Sequence, residues 1–271
     1  MVPMIIAPTH TFDSPDAISI ELDVEYGGVR IIAADRKTTV VDVRPATEGR
    51  RSDIDAAERT QVQFAGGRLE VRAPKPRGLS RFIRPAGIDV VIQVPSGSHV
   101  RGHTAYLDFN AEGRLGDCFV KTSYGTLRVE EAGVLTLQTS AGNITAGRST
   151  GPAEISSSSG DLRLGEASAA ANLKTSSGDI RVERAGESIN ARTAYGAIHV
   201  AHAVRGELDL TTSYGDIEVG VVEGTATFLE LRSDHGRLRN ELDRVDDASK
   251  PGEFLKVHAR VGYGDIWIRR S

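Results

Sequence analysis

The chain carries one cysteine, Cys118, among its 271 residues. That excludes an internal disulfide framework and any site built from several thiolates. Aromatic residues make up 5% of the chain, too few to line a large ring-walled pocket. No apolar run approaches the length of a membrane span. The apolar start, Met1 to Pro8, is shorter than a secretory core and lacks a preceding basic segment. Membrane insertion is therefore not expected; a cytoplasmic location is, with cell-envelope association as the alternative. Neither sign of charge dominates: the formal net charge of −4 gives no general attraction to nucleic acid. No phosphate loop or dinucleotide fingerprint occurs, so no cofactor is expected.

What the chain has in quantity is glycine, 29 residues of it, and much of it is periodic. Between Thr122 and Val219 one phrase returns: Tyr124-Gly125-Thr126-Leu127-Arg128-Val129, Ser159-Gly160-Asp161-Leu162-Arg163-Leu164, Ser177-Gly178-Asp179-Ile180-Arg181-Val182, Tyr214-Gly215-Asp216-Ile217-Glu218-Val219. The glycines at 125, 142, 160, 178, 196 and 215 are 17 to 19 residues apart. A fixed short period is the signature of a repeat architecture. Within one repeat, Leu208 and Leu210 alternate with polar residues, then Thr212 to Gly215 turn the chain, then Ile217 and Val219 resume. Each repeat thus reads as two short strands around a glycine corner. Glycine suits a corner of positive φ, and the Asp or Asn after it can accept hydrogen bonds from turn amides.

One such rung buries too little to stand alone, so rungs must stack and share ladder hydrogen bonds. The expected fold is all-β, a parallel β-solenoid (β-helix) of about 18 residues per coil, three-sided and right-handed. Residues 1–95 read as an N-terminal β-rich cap and 96–271 as solenoid repeats, the two able to form one continuous domain. In the first part, Ile18 to Val24 and Thr39 to Val43 alternate, Tyr26-Gly27-Gly28 reads as a turn, and Thr47 to Arg59 suits a helical turn or two. Residues 72–87 read as a basic surface loop, with Phe82 and Ile83 tacked onto the core. Beyond Val219 the spacing stretches, as outer rungs do: Gly236 follows Gly215, and Gly264 follows Gly236, at longer intervals.

Stacking aligns equivalent residues into files. Tyr124, Tyr195, Tyr214 and Tyr263 recur at one corner, and Arg163 and Arg181 share a neighbouring file. Tyr124, Tyr195, Tyr214, Arg163 and Arg181 are the candidate binding face, weighed against simple corner packing of the rings. Gly147 to Gly151 matches Gly-x-Ser-x-Gly, but the nucleophile elbow needs a helix after it, and Pro152 and another strand follow. His99 and His103 are about 13 Å apart in an extended chain, too far to share a metal ion. No catalytic or metal site is expected.

The recurring Ser/Tyr-Gly-Asp-Ile-x-Val, preceded by Val94-Pro-Ser-Gly97, resembles a bacterial β-strand-repeat family of unknown function labelled "putative adhesin". That resemblance, from Ile18 to Ile268, implies a β-helix-like domain, often in envelope-linked proteins, with no catalytic residues to carry over. The expected function is a non-enzymatic interaction or adhesin-like module for a protein or glycan partner. The alternatives are a scaffold that self-associates through its terminal coils, with Trp267 and Ile268 at the exposed end, and a polysaccharide-active enzyme using Asp161, Asp179 and Arg181.

Overall fold

A computed structural model of the chain describes residues 9–75, 85–242 and 254–271. Most of the expected basic loop, with Phe82 and Ile83, lies outside the described residues. The chain divides into two compact units, Met1–Ala132 and Gly133–Ser271.

The first unit contains β1 (Thr9–Asp13), β2 (Ser19–Asp23), β3 (Tyr26–Ala34), β4 (Thr38–Pro45), α1 (Arg51–Glu58), β5 (Gln61–Ala65) and β6 (Arg68–Arg72). It continues with β7 (Ile88–Pro95), β8 (His99–His103), β9 (Tyr106–Arg114), β10 (Cys118–Lys121) and β11 (Leu127–Ala132). One sheet runs β1-β4-β7-β3-β9-β11 and the other β10-β8-β2-β6-β5. β2 lies parallel between β6 and β8, and β3 parallel between β7 and β9. Residues 19–34 are thus one coil of the ladder, enclosed on both sides by coils that follow it in sequence. The pairing becomes antiparallel at the far edge, where β5 joins β6, β4 joins β7 and β1 joins β4. Tyr26 and Gly27 open β3 instead of forming a turn; the corner falls just before them. α1 occupies the polar stretch read as helical. Its first-turn Asp53 is buried, accepts the Gly87 N–H at 3.3 Å and faces Arg50 at 3.4 Å. Burial pushes the Cys118 thiol up to about 12.

The second unit contains β12 (Leu135–Ala141), β13 (Ile144–Ser149), β14 (Ala153–Ser159), β15 (Leu162–Ala167), β16 (Ala171–Lys174), β17 (Ile180–Ala185) and β18 (Ile189–Tyr195). Then come β19 (Ile198–Ala203), β20 (Gly206–Tyr214), β21 (Ile217–Val221), β22 (Ala226–His235), β23 (Leu238–Asn240), β24 (Phe254–Tyr263) and β25 (Ile266–Arg270). All described pairings here are parallel. Ile144 faces Leu162, Leu162 faces Ile180, and Ile180 faces Ile198. The strands fall into two sheets, where three sides were expected. A further buried alanine in each repeat (Ala167, Ala185, Ala203) ends β15, β17 and β19 and joins the same core. Strand alternation does the rest: Ile180, Val182, Ile189 and Ala191 are buried, each large aliphatic contributing about 2 kcal/mol, while the residues between them face out.

The order of coils departs from the order of the chain. β24 sits between β20 and β22, and β25 between β21 and β23. The last strands in sequence are therefore interior, and residues 226–240 form the outer edge. Ile268 is buried accordingly, although Trp267, on the outward side, remains exposed.

Three files of residues hold the corners. The glycines at 160, 178, 196, 215 and 264 all have positive φ, and each nestles against the carbonyl of the preceding coil's corner glycine. A buried hydroxyl then donates to that carbonyl: Ser157 to Gly142 (3.2 Å), Thr175 to Gly160 (3.1 Å), Thr193 to Gly178 (3.1 Å), Thr212 to Gly196 (2.9 Å). The residue after the glycine forms the third file. Asn143 Oδ1 accepts the Asp161 N–H at 2.9 Å, Asp161 Oδ1 the Asp179 N–H at 3.0 Å, and Asp179 Oδ1 the Ala197 N–H at 2.9 Å. Beyond a gap, Asp216 accepts from Asp265 and Asp265 from Arg237. The gap is Ala197, whose methyl stands where its neighbours place an oxygen. Ala197→Asn is expected to restore an acceptor for the Asp216 N–H and raise stability by about 1 kcal/mol. Thermal unfolding of the variant beside the parent checks this.

Candidate functional site

The corner tyrosines lie outside the core. Tyr195 and Tyr214 end β18 and β20 in register, and Tyr263 follows on β24. Their rings stack almost parallel, 5.1 Å between centroids at each step, and His235 closes the stack at 4.5 Å from Tyr263. In the first unit Tyr124 stacks on Tyr106 at 4.7 Å and Tyr106 on Tyr26 at 5.2 Å. The stacks follow from register: a ring at the same corner of adjacent coils has one neighbour position, and parallel offset stacking fills it. Tyr195 is 60% exposed and Tyr214 48%. Corner packing holds the rings to one another and leaves about half of each to solvent.

Tyr195 ends its stack. On its other side the same corner carries Ser177 and then Ser159, both exposed and bridged in register. The corner next to the Tyr195 ring on that side therefore carries small exposed serines instead of another ring. At the other end of the stack, Tyr214 and Tyr263 border a surface hollow of about 440 Å³ that also touches Thr211, Asp234 and Arg260. Arg260 is exposed and has no ion pair among the described residues, while Arg192 and Arg232 nearby are committed to Asp209 (2.9 Å) and Asp234 (3.0 Å).

The five residues singled out from the sequence are brought together only in part. Tyr195 and Tyr214 touch; Tyr124 stands in the stack of the first unit. Arg163 and Arg181 face each other on adjacent strands of the other sheet, both exposed, and Arg181 is paired with Asp179 at 3.2 Å. Tyr26, Tyr106, His235 and Arg260 were missed. Tyr26-Gly27 repeats the Tyr-Gly phrase of the later corners, which was the available signal; Arg260 had none.

Asp161 and Asp179 spend a carboxylate oxygen each on a backbone amide of the next coil, which gives them a structural task. Ser149, the serine of the Gly-x-Ser-x-Gly match, ends β13 opposite Ala167; its Oγ is buried with no hydrogen-bond partner among the described residues. A nucleophile elbow exposes its serine on a strand-to-helix turn, and this one lies inside the core. Replacing an unsatisfied hydroxyl by the alanine its file otherwise prefers removes a desolvation cost. Ser149→Ala is expected to stabilise by about 1 kcal/mol, read from the urea midpoint.

His99, His199 and His258 bond locally. His199 Nδ1 lies 3.1 Å from Glu218, which also accepts from Arg269 Nε at 2.8 Å. Burial opposes ionisation of Glu218, but the Arg269 and His199 contacts outweigh it and hold the carboxyl below its usual range. Among the described residues no group of three or more His, Cys, Asp or Glu converges to hold a metal ion.

A family model described as Toastrack DUF4097 matches residues 18–260. The chain belongs to the Toastrack family. No curated protein matches this Toastrack chain. Among solved structures it is similar to a "putative adhesin" from Parabacteroides merdae, at 13% identity and TM-score 0.49, covering 97% of this chain and 95% of that one. It is also similar to a "putative adhesin" from Bacteroides fragilis, at 13% identity and TM-score 0.41, with 96% of each chain covered. A third, a "putative lipid binding protein" from Parabacteroides distasonis, has 14% identity and TM-score 0.41, covering 97% and 96%. No helix among the described residues of the Toastrack chain is long and apolar enough to cross a membrane.

Proposed function

We propose that this Toastrack protein is a non-enzymatic binding module that recognises a glycan through the tyrosine file of its second unit. The observation that carries the reading is the exposed stack Tyr195–Tyr214–Tyr263, whose rings contribute contact area to solvent and not to the core. A ring face bordered by hydroxyls suits a pyranose, which offers apolar C–H groups on its face and hydroxyls at its rim. Rigid tyrosines supply such area at small entropic cost. The free ring face is the outer one of Tyr195, while Tyr214 and Tyr263, stacked on both faces, offer their edges. An extended chain of sugars that starts on Tyr195 and runs along the stack therefore meets a ring edge at each further coil. Arg260 adds a donor at one end. We also read the coil as a right-handed winding of about 18 residues, since parallel strands joined by a crossover are almost always connected that way.

The test is a titration with soluble oligosaccharides, followed by the tyrosine ring signals in NMR. Perturbation confined to Tyr195, Tyr214 and Tyr263 is the expected outcome. Shifts spread over the sheets, or none with any glycan, would count against the reading.

A further inference from the structure

The second unit ends on an unfinished core. Along one sheet the buried file Ile198, Ile217, Ile266 is continued by Leu238, and Leu238 is 50% exposed. Along the other, Leu208 and Val257 are fully buried, and Leu229 continues their file with only partial cover; Leu231 does the same beyond Leu210 and Ala259. Phe228, on the outward side of the same edge strand, is 54% exposed. β22 pairs on one side alone with β24, and β23 on one side alone with β25, among the described residues. An open, apolar, ten-residue edge strand is a template for another strand. The segment that joins β23 of the outer coil to β24 of the interior one, residues 243–253, has Val245, Ala248 and Pro251 as its apolar residues, against six charged ones, Asp243, Arg244, Asp246, Asp247, Lys250 and Glu253. Its composition is poorly suited to covering a leucine-lined core.

We propose that a second copy of this chain covers this end, β22 pairing antiparallel with β22 of the partner about a two-fold axis at Leu231. The edge is self-complementary in that register. Glu230, which also meets His258 at 2.9 Å within its own chain, falls opposite the partner copy's position 232, an arginine that can turn to it from the exposed Asp234 contact at 3.0 Å, and the reverse contact follows by symmetry. Leu231 meets its own equivalent on the core side, and position 229 meets 233. An axis perpendicular to the sheets also brings the two β23 edges together, so both sheets and the core between them run on through the contact. Because the same patch is used twice, the assembly closes as a dimer and does not grow into a filament. Opposite charges directly across an antiparallel pair stabilise it, and like charges oppose it.

Sedimentation of the full chain across the micromolar range tests this, with a dimer of twice 29.0 kDa expected. Leu231→Lys places two ammonium groups together at the axis and is expected to give a folded monomer. Glu230→Arg sets like charges against Arg232 at both symmetric contacts, and dimerisation is expected to weaken by about tenfold. The exchange Glu230→Arg with Arg232→Glu restores the pairing and should recover most of that loss. A monomer at every concentration overturns the proposal. So does a dimer or larger assembly whose strength neither Leu231→Lys nor the charge reversal changes. Should Leu231→Lys fail to fold, the charge reversal and its rescue decide the matter.

Discussion

Gly178→Ala is expected to destabilise the second unit by about 3 kcal/mol or more, with Gly160→Ala and Gly196→Ala close behind. Two costs coincide at this corner. Gly178 has φ +144°, which an L-residue rarely adopts, and a Cβ there would sit 2.2 Å from the Gly160 carbonyl oxygen. The obstacle is backbone, so no side chain can move aside. That carbonyl is moreover fixed by the Thr175 hydroxyl at 3.1 Å, and the Gly178 N–H bonds Tyr195 O at 2.8 Å. Relief therefore means separating two coils and losing bonds on both sides. Gly224 provides the control, with φ +83° and nothing within 4 Å of where an added methyl would lie. Gly224→Ala carries only the backbone cost, about 1 kcal/mol. Denaturant midpoints of the two variants separate the contributions; equal losses would mean that close coil approach at the corner is not what requires glycine.

Removing residues 254–271 is expected to have the other large effect. A chain whose coils stacked in sequence order would lose only its outermost rung and keep the rest. Here the deletion removes an interior coil. Leu255, Val257, Val261, Ile266 and Ile268 are almost fully buried, and together they represent on the order of 10 kcal/mol of burial. β22 and β23 lose their only described neighbours, and Leu208, Leu210, Ile217 and Val219 lose the coil that covers them. Hydrogen exchange on the shortened chain should show residues 226–240 unprotected together with weakened protection through 206–221. Protection retained over 226–240 would show that this coil can pair directly with β20 and β21.

The glycine period, the alternation of apolar residues and the Asp or Asn after most corners made the coil and its inward faces legible in the sequence. These features are local: each is set within one rung and repeats because the rungs are equivalent. The buried Thr122, Thr175, Thr193 and Thr212 recur with the same period and were equally legible, since a hydroxyl three residues before each corner glycine has a fixed geometric meaning. Coil order was not legible. The wider spacing from Gly215 to Gly236 and Gly264 signals irregular outer rungs, but whether the chain passes over one coil position and returns depends on which long connection reaches which edge. The same swap hides β2 and β3 inside the ladder at the other end of the chain. It also conceals Arg260, which stands opposite Arg232 and Thr211 only after β24 has entered between β22 and β20. The tyrosine file was visible as a period; that its rings stack on one another and stay half in solvent required the register.

Binding by the tyrosine file is tested most directly with the pair Tyr195→Ser and Tyr214→Ser. Serine is the residue the same corner already carries at 159 and 177, so the coils tolerate it. Loss of the stacked rings should cost about 1 kcal/mol per pair and leave the fold intact. Wild type and double variant would be compared on a glycan array, with circular dichroism confirming equal folding. The expected result is a defined set of glycans retained by the wild type and released by the folded variant. The contradicting result is a folded variant that binds the same glycans as well as the wild type, or a wild type that retains none.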